Sequence, residues 1–456
     1  MRKLNILLAL LFIPLFSSHA VTLEEAMVEA YNTNPALLAG REELKAVDEN
    51  IYQAVSGFLP NINFTNQRGS NETNVKTRDK PVTYAPEQKY MSGTNQIALN
   101  QNLFSGGSNI IGLKIAKTMI AMERATLTAT EQSVLAMVAQ VYSSVLLAEE
   151  TLSLRKQAVE ILTKHLESIT TQYELGEVTK TDVARTKASL SQVIAERVKA
   201  EGDYLNSKAN YKNIVGSDPV NLESYNNKIF VFPQNLEEAV KIANDNYPQI
   251  VATKLGLELE NSKLLQYAAN LLPRVDVNAA IQRSLSPLYI SQGSNAKFKT
   301  VSKTASLTVT VPIYHGGLEY SRIRAQKNSV QKTKYSLQEV LNGVTQQTIE
   351  AWQDYETAST SIAAYEDLVE AAQVAFESAF KEAEVGARTN LEVLDAEQTL
   401  FKAKVELATA KVNKFMASNK LLMMLGKFNA MDLSLPTKIY DTTAHYDSVK
   451  LQLIGF

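Results

Sequence analysis

One stretch of the sequence decides the fold: Glu384-Val385-Gly386-Ala387-Arg388-Thr389-Asn390-Leu391-Glu392-Val393-Leu394-Asp395-Ala396-Glu397. Its glycine separates two helical patterns, and glycine often ends a helix because it adopts the left-handed conformation without strain. Three residues later, the hydroxyl of Thr389 can cap the first turn of the next helix. Beyond the turn, apolar residues recur at spacings of three, four and seven, as in a coiled coil. The stretch therefore predicts a tight helical hairpin.

A matching turn lies about 210 positions earlier, in Tyr173-Glu174-Leu175-Gly176-Glu177-Val178-Thr179-Lys180-Thr181-Asp182-Val183-Ala184. The two stretches agree at the glycine, at the threonine and at an acidic residue followed by valine. Gly176 and Thr179 therefore have the same predicted roles as Gly386 and Thr389. Two matched turns predict two helical hairpins in two matched halves of the chain.

Further matches extend this internal repeat. Leu23-Glu24-Glu25-Ala26 recurs 213 residues later, and Phe104-Ser105-Gly106-Gly107 corresponds to Tyr314-His315-Gly316-Gly317 at an offset of 210. We therefore divide the chain into a signal peptide (1–20), a first repeat (21–234), a second repeat (235–428) and a C-terminal segment (429–456) of uncertain structure. The signal peptide is predicted from Arg2 and Lys3, the apolar run that follows, and small residues before a cut after Ala20. An N-terminal membrane anchor is the alternative, although the apolar run is short for a span.

Each repeat also contains two predicted strands. They cover about 61–68 and 93–104 in the first repeat, and about 274–284 and 301–314 in the second. From Ala305 to Ile313 apolar residues alternate with Ser306, Thr308 and Thr310, which predicts one apolar and one polar face. The polar segments 69–92 and 285–300 are predicted to be solvent loops. After each Gly-Gly pair, a helical pattern without proline continues for about 70 residues, or about 100 Å.

Composition excludes several function classes. A net charge of −2 without a basic run gives no indication of nucleic-acid binding. The absence of cysteine excludes a cysteine-based metal site, the wide spacing of only four histidines argues against a histidine metal cluster, and no cofactor is predicted. The Gly-Gly pairs lack the rest of a phosphate-binding loop, and no nucleophile-base-acid set is present, so we do not expect an enzyme.

These elements favour a mainly α fold with β-strands, in which the strands lie in a membrane as a barrel. Apart from the N-terminal run, no stretch approaches the roughly 20 apolar residues of a membrane helix. Four strands cannot close a barrel, because small barrels need about eight. Two copies would supply eight strands around a filled interior, whereas three would supply twelve around a passage, so export favours three.

The duplicated plan, the Phe-Ser-Gly-Gly corner and above all the turn at Gly386 resemble the TolC family of outer-membrane efflux proteins over nearly the whole mature chain. The resemblance implies a homotrimer with a twelve-stranded barrel in the lipid of the outer membrane and a coiled-coil α-helical barrel in the periplasm. It also implies docking to a periplasmic adaptor and, through it, to an inner-membrane pump or ABC transporter. Its activity would be passive export of drugs or polypeptides, without a cofactor.

The resemblance implies specific site residues as well. Arg388 would link to Thr181 and Asp182 and close the periplasmic tip, whereas Glu392 and Asp395 would form acidic rings at the constriction. The turns would dock the adaptor through Gly176, Thr179, Gly386 and Thr389.

Three residues depart from the pattern of the best-known family member. Glu392 replaces an aspartate, which would make the ring narrower or more mobile, and Ala383 replaces a linking tyrosine, which would remove one closing contact. In the first repeat, Arg185 occupies the position that corresponds to Asp395 and would partly neutralise the ring. A periplasmic adaptor or other coiled-coil scaffold is the alternative function, but it would not explain the two-faced strands. A soluble secreted enzyme is a weaker third possibility.

Overall fold

The computed structural model describes residues 20–74, 87–224, 232–290, 294–450 and 452, so the predicted signal peptide lies outside them except for its last residue. In the described part of the chain, the helices are α1 (Leu23–Thr33), α2 (Pro35–Asp48), α3 (Asn50–Ser56), α4 (Ser108–Glu174), α5 (Lys180–Val215), α6 (Leu236–Asn246), α7 (Pro248–Ala269), α8 (Leu318–Glu384), α9 (Asn390–Met424) and α10 (Ala444–Val449). The strands are β1 (Asn61–Asn74), β2 (Glu87–Ser105), β3 (Arg274–Ile290) and β4 (Ser294–Thr310). None of the described helices is both long and apolar enough to cross a membrane.

The order of elements recurs along the chain. Short helices, two strands and a long helical hairpin occur first as α1 to α5 with β1 and β2, and again as α6 to α9 with β3 and β4. The first helix of each long hairpin has 67 residues, close to the expected length. Proline begins both α2 and α7, since its fixed φ and missing N–H suit the first helical turn. The repeat boundaries themselves stay a prediction.

The described residues form two compact units, each drawn from both repeats. One contains residues 20–41, 127–224, 232–248 and 341–440. Its core includes Leu421 and Leu425, with Trp352 packed against them. Tyr142 is also buried there, and its hydroxyl lies 2.9 Å from the carbonyl oxygen of Val21 and 2.7 Å from that of Glu223. Trp352 and Tyr142 therefore both pack in this unit.

The other unit contains residues 42–74, 87–126, 249–290, 294–340, 441–450 and 452. The C-terminal segment, whose structure the sequence left open, adds the short helix α10 to this unit. Val449 of α10 packs with Ile51, Ala116 and Ile120 in a buried cluster. Helix α10 is thus held by apolar burial on α3 and α4.

This second unit also holds the sheet, in which the order is β1-β2-β3-β4 and neighbouring strands are antiparallel. Phe64 lies opposite Ile97, and Ile97 lies opposite Ile281. Leu307 lies on the same face, two residues beyond Ala305. Their side chains remain exposed, by 68% for Phe64 and 64% for Leu307. The sheet therefore presents an uncovered apolar face within the chain, as the alternation predicts.

The strands are longer than predicted, so the assignment of 69–92 and 285–300 as loops is wrong for all of their described residues. Residues 69–74, 87–92, 285–290 and 294–300 belong to strands. In 69–74 and most of 294–300, polar residues conceal a strand in the sequence, because the hydrogen-bonded ladder uses backbone groups and does not require apolar side chains. The predicted end of the last strand is also wrong. β4 ends at Thr310 because Pro312 has no backbone N–H and restricts Val311.

Candidate functional site at the hairpin turns

The first turn connects α4 to α5. Gly176 has φ of +82°, and the Glu177 amide donates to the carbonyl of Gln172 at 2.9 Å. The Asp182 amide donates to the Thr179 hydroxyl oxygen at 3.3 Å, and the Asp182 carboxylate accepts from the Thr179 amide at 3.0 Å. Hydrogen bonds from the Thr179 hydroxyl and then from its amide lower the pKa of Asp182. The predicted glycine turn and threonine cap are confirmed.

The second turn connects α8 to α9 in the same way. Gly386 has φ of +73°, and the Ala387 amide donates to the carbonyl of Glu382 at 2.8 Å. The Thr389 hydroxyl accepts from the Glu392 amide at 3.4 Å, while the Glu392 carboxylate accepts from the Thr389 amide at 3.3 Å. Glu392 therefore caps its own helix in the single chain. Its predicted place in a constriction ring stays a prediction, as does that of the exposed Asp395.

Arg388 directly precedes the capping residue Thr389 and pairs with Glu382 of its own hairpin. Both side chains are about half exposed, at 47% and 46%, so solvent screens the pair. Among the described residues, no hydrogen bond or ion pair joins Arg388 to Thr181 or Asp182. The proposed gate link is therefore not made within one chain, and it stays a prediction about an assembly of chains.

A buried polar network, which the sequence analysis missed, joins the two hairpins beside their turns. Asn390, the first residue of α9, is 8% exposed. Its side-chain amide donates to the Thr186 hydroxyl at 2.8 Å and to the Asp182 carbonyl at 3.3 Å, both on α5. Its side-chain carbonyl lies 2.6 Å from Nε2 of His165 on α4. One side chain thus contacts both helices of the first hairpin.

His165 serves as a neutral donor in this network. The side-chain N–H groups of Asn390 donate to α5. Its side-chain oxygen therefore accepts a hydrogen bond from the Nε2–H of His165. Burial lowers the pKa of His165, while the hydrogen bond to Asn390 opposes that change. The ring of Phe380, on α8, lies 5.8 Å from the imidazole. No local spacing in the sequence could have revealed these partners of His165, because they lie on other helices.

A charged cluster lies further from the turns on the same three helices. Glu397 of α9 is 7% exposed, and Arg155 of α4 pairs with Glu196 of α5. The Arg155 guanidinium also stacks over the ring of Phe401, 3.6 Å from its centroid. Burial raises the pKa of Glu397 to about 7, Arg155 opposes this shift and Glu196 adds to it. Around this cluster Leu162 and other buried apolar residues pack between the hairpins.

The described geometry, with paired helical hairpins and an apolar-faced sheet, agrees with comparisons to known proteins. The profile of the outer membrane efflux protein family matches residues 26–217 and 239–427. The chain belongs to this family. The two matched regions include both hairpin turns, and the predicted resemblance is confirmed. Members of this family are efflux proteins of the outer membrane.

Named relatives of the outer membrane efflux proteins span nearly the whole chain. Outer membrane efflux protein BepC of Brucella suis is 29% identical over 95% of this chain and 91% of its own length. Outer membrane protein TolC of Escherichia coli is 25% identical over 95% of this chain and 88% of its own. The crystal structure of the Campylobacter jejuni CmeC outer membrane channel superimposes with a TM-score of 0.78 at 15% identity, over 94% of this chain and 89% of that one. The structural match extends the shared fold to a distant relative.

Proposed function

We propose that three copies of this chain form a passive exit duct through the outer membrane for a tripartite efflux pump or a type I secretion system. The main support for this proposal is the sheet, whose apolar face is exposed. Among the described strands, β1 and β4 lie at its edges. Edge strands have unpaired N–H and C=O groups, which hydrocarbon does not tolerate. Three copies would pair these edges and close a twelve-stranded barrel that is wide enough for a passage.

The helical hairpins would continue this duct as a coiled-coil tunnel in the periplasm. At the turns, Leu175 and Val385 are 70% and 80% exposed and offer apolar contacts. A periplasmic adaptor would bind there, against the exposed turn residues Gly176, Thr179, Gly386 and Thr389. The adaptor would in turn connect the duct to an inner-membrane pump or ABC transporter.

The gate would lie at the same turns. Arg388 of one chain would exchange its partner Glu382 for Thr181 and Asp182 of another hairpin when the duct closes. An exposed pair contributes only about 0–1 kcal/mol, so three copies would bias the closed state by a few kcal/mol at most. Such a bias suits a duct that an adaptor must open. Glu392 and Asp395, both exposed, would supply the acidic constriction.

Cysteine labelling tests the barrel, since the chain has no cysteine of its own. Leu307 lies opposite Val277 on the apolar face, whereas the neighbouring Ser306 lies opposite Asn278 on the polar face. In reconstituted trimers, a membrane-impermeant thiol reagent should modify Ser306→Cys rapidly and Leu307→Cys slowly, because only the polar face meets water. Equal labelling of both variants in heat-resistant trimers would contradict the proposed duct.

A further inference from the structure

We propose that the apolar face of the sheet carries a binding site for phosphate groups of an anionic glycolipid in the outer leaflet, formed by Arg68, Arg283, Lys299 and Lys303. The inference rests on the proposed position of the sheet in the membrane and extends it to one class of lipid. It does not depend on the cargo or on the gate.

Strand register brings the four cations to the same face. Arg68 lies four positions after Phe64 on β1, and Arg283 lies two positions after Ile281 on β3. Lys303 lies directly opposite Ile281, and Lys299 lies opposite Leu285. Because side chains alternate along a strand, all four cations share the face of Phe64 and Ile281. All four side chains are exposed.

Three of the cations, on β3 and β4, lie close to one another, and Arg68 extends towards them across β2. Arg283 lies opposite Val301, so Lys299 and Lys303 are its two diagonal neighbours, each about 7–8 Å away. Arg68 lies opposite Gly93, and a guanidinium nitrogen of Arg68 lies 3.5 Å from where a Cβ on Gly93 would be. The missing side chain at Gly93 thus lets Arg68 lie across β2 in the direction of β3.

Among the strand residues whose side chains are described, acidic groups do not lie beside this cluster. Among strand residues whose side chains are described, the polar face holds Arg274 and Asp276, which pair with each other at 2.6 Å. On the apolar face, the described acidic residue is Glu72, four positions beyond Arg68 along β1. Cations clustered beside apolar side chains repel one another, and an anion from outside the chain would relieve that repulsion.

The position of the cluster matches the border of a membrane. The apolar residues of β4 extend from Val309 to Val301, eight positions or about 26 Å along the strand. A barrel tilt of about 40° reduces this to about 20 Å, most of the roughly 25 Å apolar band of an outer-membrane barrel. Lys299 lies just beyond Val301, away from the strand end that leads to α8. Lys303 lies within the band, but its long stem can carry the ammonium group to the border.

The chemistry of the side chains selects phosphate. A guanidinium group can donate two parallel hydrogen bonds to a phosphate, and the lysine ammonium groups add point charges. Basic residues near a membrane surface recognise anionic headgroups in this way. A phosphorylated glycolipid of the outer leaflet would place its phosphates at this border while its acyl chains cover the apolar residues below.

The test uses the full chain in nanodiscs of phosphatidylcholine that contain either diphosphorylated lipid A or the same lipid after phosphatase treatment. Native mass spectrometry measures the bound lipid. Wild type should prefer the phosphorylated form, and Arg283→Gln combined with Lys303→Gln should weaken that binding about 30-fold, at about fivefold per cation. Arg274→Gln, on the opposite face of β3, should bind lipid A as wild type does.

Three results would overturn the site. The first is equal binding of lipid A and its dephosphorylated form. The second is a loss of lipid A binding in Arg274→Gln as large as that in the Arg283→Gln and Lys303→Gln double variant. The third is complete displacement of lipid A by inorganic phosphate, which would indicate a site for the free ion. Insertion of wild type without any preference for lipid A would overturn this site alone. Failure of wild type to insert into any nanodisc would overturn the proposed duct as well.

Discussion

Replacing Glu397 with glutamine should strengthen the contact between α9 and the first hairpin at alkaline pH and leave it nearly unchanged at acidic pH. Burial raises the pKa of Glu397 from 4.5 to about 7 in the folded chain. A carboxyl group with a raised pKa contributes its full stability below about pH 4.5, and that contribution is lost as the pH rises to about 7. This rise in the pKa of Glu397 corresponds to at most about 3 kcal/mol. Glutamine has the same shape and cannot ionise.

Hydrogen exchange measures this contact locally. At a given pH the intrinsic exchange rates of the two proteins are equal, so the ratio of their rates reports local opening. In peptides covering 393–401, Glu397→Gln should exchange up to about a hundredfold more slowly than wild type at pH 8.5, and about equally at pH 5. Glu406→Gln, an exposed carboxylate on the same helix, is the matched control and should show no difference at either pH.

The result that refutes this reasoning is equal exchange of wild type and Glu397→Gln at pH 8.5. It would mean that Arg155 fully compensates the ionised carboxylate, so that burial does not govern its protonation. Faster exchange of the variant at both pH values would show instead that the Glu397 side chain stabilises the contact as an anion. Either outcome would remove the pH dependence assigned to this cluster.

Further predictions concern the hairpin turns. Asn390→Ala should lower the free energy of unfolding by about 1–3 kcal/mol, because it leaves buried polar partners unsatisfied. Denaturant titration measures this loss. An unchanged free energy of unfolding would mean that water replaces the amide. Arg388→Ser should raise single-channel conductance in planar bilayers, whereas Glu382→Gln, which removes only the partner within the hairpin, should not. Unchanged conductance in intact trimers of the Arg388 variant would exclude Arg388 from the gate. Glu392→Ala with Asp395→Ala should weaken cation preference, since clustered carboxylates set the field in a constriction, and unchanged selectivity would place the ring elsewhere.

The sequence alone determined the parts of this fold that depend on local chemistry. Gly176 and Gly386 end their helices because each adopts a positive φ, and Thr179 and Thr389 cap the next helices with their own hydroxyl groups. These devices involve residues within one helical turn of each other, so the sequence shows them directly. The apolar face of the strands was also readable, because alternation is a property of the single strand.

The length of the strands could not be predicted as well from the sequence. In 69–74 and 87–92 polar residues continue the ladder between β1 and β2, and the sequence offers no apolar alternation there. Pairing across the sheet, which joins residues far apart in the chain, determined how far each strand extends. The end of β4 at Thr310 had a local cause, in Pro312.

The tertiary structure alone decided the polar contacts between the hairpins. His165 and Asn390 are 225 positions apart, and Asn390 and Thr186 are 204 apart, so no motif could connect them. The pairing of Arg388 with Glu382 within one chain likewise became visible only in the structure. The pKa of Glu397 likewise followed from its surroundings. The free energy of ionising a carboxyl group depends on its desolvation and on the charges packed against it. Neither effect exists before the helices pack together.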